Sequence, residues 1–420
     1  MLSYIRNALA LSTLWFATAL FGGVASGELP DHAHQPLVVD TSMTLLDTVD
    51  GALAAYPDMQ ILVARKEQAS AWSRRGNSWL RQPPALVVRY QSDRLGSDVG
   101  LEEYEAGVDM PLWNWGGRAA VRSLADALFF ESEAAVRELR WRVAGLVRML
   151  LWEVALAESD HELAQLALDT AEKLVSVVQR RYELGDVSLS DVLLARSSFL
   201  EFRTAVIEAD AMVLDAQRAY RSVTGLERRP EFVLEPLSQL HEVTTEHPAL
   251  ALANAAIERA EANVEVARKT TTNGANLMIG TRRERSALEP FLDDSIGITM
   301  NVPFGGASHR DARAGDALRI ASAARAAREQ ELRVLDLALH EAAHGLSVVR
   351  QSLETASERL QIAERQQTMG ESAYEKGELD LIDLLKLQAT TIAARRKFAR
   401  LTIEEKRQTA MYNQAVGEMP

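Results

Sequence analysis

Two stretches of the chain repeat apolar residues at three- and four-residue spacing for longer than any globular helix requires. Val136, Leu139, Val143, Leu146, Val147, Leu150, Leu151 and Val154 recur in this way, and Leu332, Leu335, Leu339 and Ala343 do so further on. Between Pro111 and Pro230, and again between Pro303 and Pro420, more than about 110 residues pass without a proline to break a helix. The pattern predicts a long helix from Arg118 toward Tyr182 with a return helix from near Ser190. A second such pair runs from Arg310 toward Tyr374 and back from near Asp383. At ~1.5 Å per residue, a helix of about 65 residues spans on the order of 100 Å, the length of a coiled shaft or tunnel wall. Shorter helices are predicted over roughly 57–80 and 248–270.

Before each long helix the period changes to two. Strands are predicted at about 85–91, 104–112, 276–283 and 295–303. Tyr104, Ala106, Val108 and Met110 alternate with Glu105, Gly107 and Asp109, and Ile296, Ile298, Met300 and Val302 alternate with Gly297, Thr299 and Asn301. Strands of roughly 9–10 residues with an apolar and a polar side suit a membrane barrel. Trp113 and Trp115 follow, where an aromatic belt at the membrane surface belongs. The polar segments at about 92–103 and 284–294 read as exposed loops. Four strands cannot close a barrel, and an open edge cannot stay in lipid, so further subunits must complete it. A dimer is permitted and a trimer of twelve strands is comfortable. The alternative is an ordinary soluble sheet beside a helical bundle.

The halves are duplicates. At a shift of about 192 positions, Pro111-Leu112 matches Pro303-Phe304, and the run from Tyr182 to Leu193 matches that from Tyr374 to Leu385. Tyr56-Pro57 matches His247-Pro248 at a shift one residue smaller. The expected organisation is an export signal over 1–26, a first repeat over 27–240 and a second over 241–420. In the signal, Arg6 supplies the charge, Ala8 to Phe21 the apolar core, and Gly22 to Gly27 the small residues for cleavage.

Composition narrows the function. The formal net charge of −13 leaves no basic stripe for nucleic acid. Cysteine is absent, which removes disulfides, thiol catalysis and an N-terminal lipid-bearing cysteine. No cofactor motif is present: Gly116-Gly117 and Gly305-Gly306 lack the Lys-Ser/Thr of a phosphate loop and sit at strand-to-helix corners. His340-Glu341-Ala342-Ala343-His344 fits a zinc-protease pattern, but it lies in an Ala-rich helical run without a cleft-forming domain. A weak surface metal pair is the milder reading of the two histidines.

The Tyr-x-x-Gly turns carry the candidate chemistry. Gly185 and Gly377 suit a left-handed residue at the helix end. Ser188 or Ser190, and Asp380, can cap the returning helices, with Asp191 and Asp383 in their first turns. The doubled Tyr-x-x-Gly-x-x-Ser/Asp-Leu-x-Asp turn, with a strand leading to Pro-Leu or Pro-Phe upstream of each copy, resembles the TolC family of outer-membrane efflux proteins. The resemblance covers about Thr44 to Gln414.

What that resemblance implies is a mainly α chain with a small membrane β-barrel contribution. Duplicated long helical hairpins form a periplasmic α-barrel, and four strands per chain build a twelve-stranded trimeric barrel. The implied role is a non-enzymatic exit duct in the outer membrane of a Gram-negative bacterium. A periplasmic adaptor and an inner-membrane pump dock at the hairpin tips. The resemblance also places Asp383 in a ring of carboxylates at the constriction, and Tyr374 with Asp191 as a hydrogen-bonded link between hairpins. Two departures stand out: Leu379 replaces an arginine of relatives, and Lys386 sits one turn after Asp383. Length and layout look most like the metal-resistance branch. The alternatives are a periplasmic helical scaffold or adaptor that never enters lipid, and a metallopeptidase built on His340 and His344.

Overall fold

Two helices of 67 and 69 residues dominate the computed structural model. It describes residues 36–231, 233–270, 274–285, 291–304 and 307–420. The export signal expected over 1–26, part of the loop expected over 284–294, and Gly305-Gly306 lie outside these. The chain begins with β1 (Val38–Asp40), α1 (Leu45–Ala55) and α2 (Met59–Asn77). A first hairpin of strands, β2 (Ala85–Ser92) and β3 (Glu102–Pro111), leads into α3 (Gly117–Glu183) and its return helix α4 (Leu189–Thr224). After β4 (Arg228–Pro230) the plan repeats: α5 (Pro248–Thr270), β5 (Asn276–Arg285), β6 (Asp293–Asn301), α6 (Ala307–Glu375) and α7 (Leu381–Ala415).

The helices end where local chemistry ends them. Ser188 opens α4 with a capping box: its Oγ accepts from the Asp191 N–H, and the Asp191 carboxylate accepts from the Ser188 N–H at 3.0 Å. Gly185 has φ +83°, and the N–H of Asp186 donates to the carbonyl of Arg181 at 2.9 Å. Gly377 (φ +76°) repeats this at the second tip, where the N–H of Glu378 donates to Ala373. Both are Schellman endings, in which glycine takes the left-handed conformation that a Cβ would oppose.

The strands form two sheets. β1 and β4 pair in parallel, while β2-β3-β5-β6 is antiparallel throughout, with β3 and β5 joining the two halves. One cross-strand row reads Val87, Gly107, Gly280, Gly297. At Gly280 a Cβ would fall 2.6 Å from the carbonyl oxygen of Ala106, so the backbones meet there without room for a side chain.

The main core lies beside the small β1–β4 sheet of the first half, where Val49 and Ala52 of α1 pack with Leu139, Val143, Val147 and Val154 of α3 and Tyr220 of α4. The three-residue strands β1 and β4 and the helix α1 are features that the periodicity had not marked. α3 meets α7 through reciprocal hydrogen bonds: Trp141 Nε1 donates to the Gln414 carbonyl, and Gln414 Nε2 donates to the Trp141 carbonyl, each at 2.9 Å. Gly145 admits this contact, since a Cβ there would lie 2.8 Å from Gln414 Nε2.

Candidate functional site

The four-stranded sheet has one charged side and one that is apolar except at its loop end, where the Arg283–Asp294 and Glu102–Arg285 ion pairs lie. Register aligns Leu86, Val108, Ile279 and Ile298 in one row and Val88, Ala106, Thr281 and Ile296 in the next. Tyr104, Met110 and Met300 share that side, so all six residues expected to meet lipid lie on one face. It is bare in the single chain: Leu86, Ile296 and Ile298 are 76, 81 and 70 % exposed. A contiguous apolar surface of this kind needs a non-aqueous neighbour. At one end the tilted rings of Tyr90 and Tyr104 lie 4.9 Å apart, and at the other Trp79 and Trp115 are almost fully exposed. Trp113 is held instead, its Nε1 donating to the Ser78 carbonyl. The opposite face carries Glu105, Asp109 and the Glu103–Arg282 ion pair at 3.0 Å. No helix among the described residues is long and apolar enough to cross a membrane.

About a helix length away are the two tips. Leu174, Val178, Val192 and Ala195 of the first hairpin pack against Tyr374, Leu381 and Leu384 of the second, with Leu379 partly buried beside them. Leu379 therefore supplies packing at the position that the resemblance gives to an arginine. A contact the sequence did not reveal clamps the hairpins together: the Arg181 guanidinium lies 4.8 Å over the Tyr374 ring, and its Nη1 donates to the Tyr374 carbonyl at 3.1 Å. Burial pushes the Tyr374 phenol above its usual range, against the pull of Arg181.

The individual tip residues divide as follows. The Tyr374 hydroxyl is buried without a hydrogen-bond partner among the described residues, and the Asp191 carboxylate is committed to Ser188. Within the single chain the expected Tyr374–Asp191 hydrogen bond is not formed, and Oδ2 of Asp191 serves the capping box instead. Ser188 is the cap and Ser190 lies inside α4. Asp380 occupies the N-cap position of α7, but its side chain makes no capping bond. Asp383 and Lys386 are exposed and paired, Nζ to Oδ1 at 2.9 Å. Each carboxylate of a ring would come with its own cation. Tyr182 is exposed, unlike its buried counterpart Tyr374.

Farther up the helices, Arg148 is fully buried and pairs with Glu235 at 2.7 Å, while its Nη1 also donates to Gln414. It fastens the segment between the repeats to α3 and to the end of the chain. His247, 1 % exposed, accepts the Ala249 N–H at Nδ1 and lies edge-on to Trp141. Burial lowers its pKa to about 4. Arg148 did not stand out by pattern, since Glu235 and Gln414 are distant in sequence; His247 was marked only by its place in the repeat. His340 and His344 stack with ring centroids 6.4 Å apart on an exposed face of α6, beside exposed Glu341. No group of three or more metal-suited His, Asp or Glu side chains is present among the described residues.

Known proteins match this arrangement. The model of the outer membrane efflux protein family matches residues 49–226 and 240–417. Protein CyaE of Bordetella pertussis is 23 % identical over 400 residues, covering 90 % of this chain and 84 % of its own. The outer membrane protein VceC of Vibrio cholerae superposes with a TM-score of 0.72 at 15 % identity, over 90 % of this chain and 97 % of that one. The Campylobacter jejuni CmeC outer membrane channel gives 0.70 at 14 % identity, over 97 and 94 %. With the family model spanning both halves, the chain belongs to the outer membrane efflux protein family, a family of outer-membrane channels and not of enzymes.

Proposed function

We propose that the protein is the exit duct of a tripartite efflux system. Three copies close a twelve-stranded barrel over a long periplasmic helical tunnel, and substrates delivered by an inner-membrane pump through a periplasmic adaptor pass passively to the outside. The observation that carries this reading is the four-stranded sheet with a bare apolar face and two open edges, set on helices of tunnel length. A scaffold that stays in the periplasm gives such a face no cover.

The helices support a multi-copy tunnel. Leu193, Leu200 and Ile207 of α4, and Val334, Val348, Ile362 and Met369 of α6, are exposed and recur at multiples of seven residues. α4 packs on α3 while α6 packs on α5 and α7, so these two stripes lack a partner within the chain. Heptad stripes of this kind seek a second helix. The chain divides into a cleaved export signal over 1–26, a first repeat over 27–240 and a second over 241–420. Gating resides at the Tyr182–Asp191 and Tyr374–Asp383 tips, where docking of adaptor and pump favours a splayed state over the clamped one. The length and layout extend the proposal to metal ions as cargo. Deleting the gene and measuring growth against transition metals, dyes, detergents and antibiotics tests this. Metal sensitivity alone supports metal cargo, drug sensitivity makes the duct a multidrug one, and purified protein that forms no pores in planar bilayers sinks the channel itself.

A further inference from the structure

The two strand hairpins share one register. Val108 faces Leu86 and Ala106 faces Val88 in the first; Met300 faces Leu277 and Ile298 faces Ile279 in the second. The sequence repeat thus carries β2 onto β5 and β3 onto β6, residue for residue. Within the chain the repeats are joined by β3 and β5, with Val108 opposite Ile279, Ala106 opposite Thr281 and Met110 opposite Leu277. β2 and β6 are left as edges.

We propose, on the basis of the multi-copy duct, that β6 of one protomer pairs with β2 of the next in the register set by the internal β3–β5 junction. Applying the repeat to that junction puts Met300 opposite Val88 of the neighbour, Ile298 opposite Tyr90, and Val302 opposite Leu86. All of these belong to the lipid-facing sets, so the apolar side continues across the seam. A slip of one residue would turn one strand's apolar set toward the lumen. The ends agree as well. The Glu102–Arg285 ion pair of the internal junction, 3.2 Å long, becomes Asp294 near Arg94 just beyond the end of β2, although within the single chain Asp294 already holds Arg283 and Arg94 lies 3.7 Å from Glu102. The Leu112 N–H, which donates to the Ala275 carbonyl at 2.7 Å, becomes the Phe304 N–H donating to the carbonyl of Pro84. Phe304 is 98 % exposed in the single chain. Pro84 has no N–H to offer, but this contact asks only for its carbonyl.

The absence of native cysteine makes the register directly readable. The pair V88C/M300C is oxidised in outer membranes and compared with V88C/I298C and V88C/V302C, each displaced by one lipid-facing position. The internal counterpart V108C/I279C calibrates the yield. V88C/M300C is expected to give reducible covalent oligomers at about tenfold the yield of the displaced pairs, because a disulfide bridges only facing strand residues. Should a double variant not assemble, V88C and M300C protomers expressed together report the same bond as a covalent dimer. Preferred linkage of a displaced pair, or no linkage while unboiled gels still show trimers, overturns the register but leaves the duct standing. Failure of the unmodified protein to form any oligomer overturns the duct reading itself.

Discussion

At the scale of single residues, three groups have measurable consequences. Arg148 is desolvated and held by Glu235. Removing it strands a carboxylate in a half-buried site, so Arg148→Ala is expected to cost roughly 3–5 kcal/mol of stability in thermal melts. Arg148→Met with Glu235→Leu should recover most of that, since an apolar pair of similar volume has no charge to desolvate. His247 sets a pH dependence. Its folded-state pKa of about 4 lies below the ordinary 6.5, so the unfolded chain takes up the proton first. Stability is intact above pH 6.5 and declines as pH falls toward 4, and His247→Gln should flatten that limb of a melting-temperature profile. At the tip, Lys386 shields Asp383. Lys386→Ala is expected to strengthen channel block by multivalent cations about tenfold, and Asp383→Ala to weaken it. Equal block in parent and variants, measured in planar bilayers, takes the pair out of the conduction path.

At the scale of elements, the long helices and all four strands of the larger sheet were legible because period, proline spacing and duplication all agree. The cap of α4 was legible only to within two serines. Ser188 wins over Ser190 because the Schellman ending at Gly185 fixes where the chain turns back, which no propensity states. β1 and β4 were invisible for another reason: strands of three residues have no period, and Val38 finds its partner Arg228 far along the chain. The bare apolar face of these strands makes a sharp prediction. Ile298→Arg places a charge on the bare face at a cost of roughly 2–4 kcal/mol per copy at the bilayer midplane. Heat-modifiable oligomers should then fail to appear in outer-membrane fractions, and their normal yield would sink the strand assignment.

At the scale of the whole molecule, the tip shows how far sequence carries. The doubled turn located it, and the two glycines and their helix ends stand as expected. The clamp did not show, because Arg181 and Tyr374 lie in different hairpins and meet only after both have folded. Leu379 looked like a missing arginine and is in fact part of the packed seam between hairpins. The unpartnered stripes on α4 and α6 belong to this scale too. Leu200→Glu or Ile362→Glu is expected to lower the dissociation temperature of the oligomer while the isolated chain keeps its helix content by circular dichroism.

Gly107 and Gly280 meet backbone to backbone, with no space for even a methyl group between the strands. A sheet bends most readily where side chains do not prop its inner face open. In the closed barrel proposed above, that contact would repeat at every copy as a crease where the wall can bend. The curvature of such a wall would then rest on residues that present no chemistry to what passes through it.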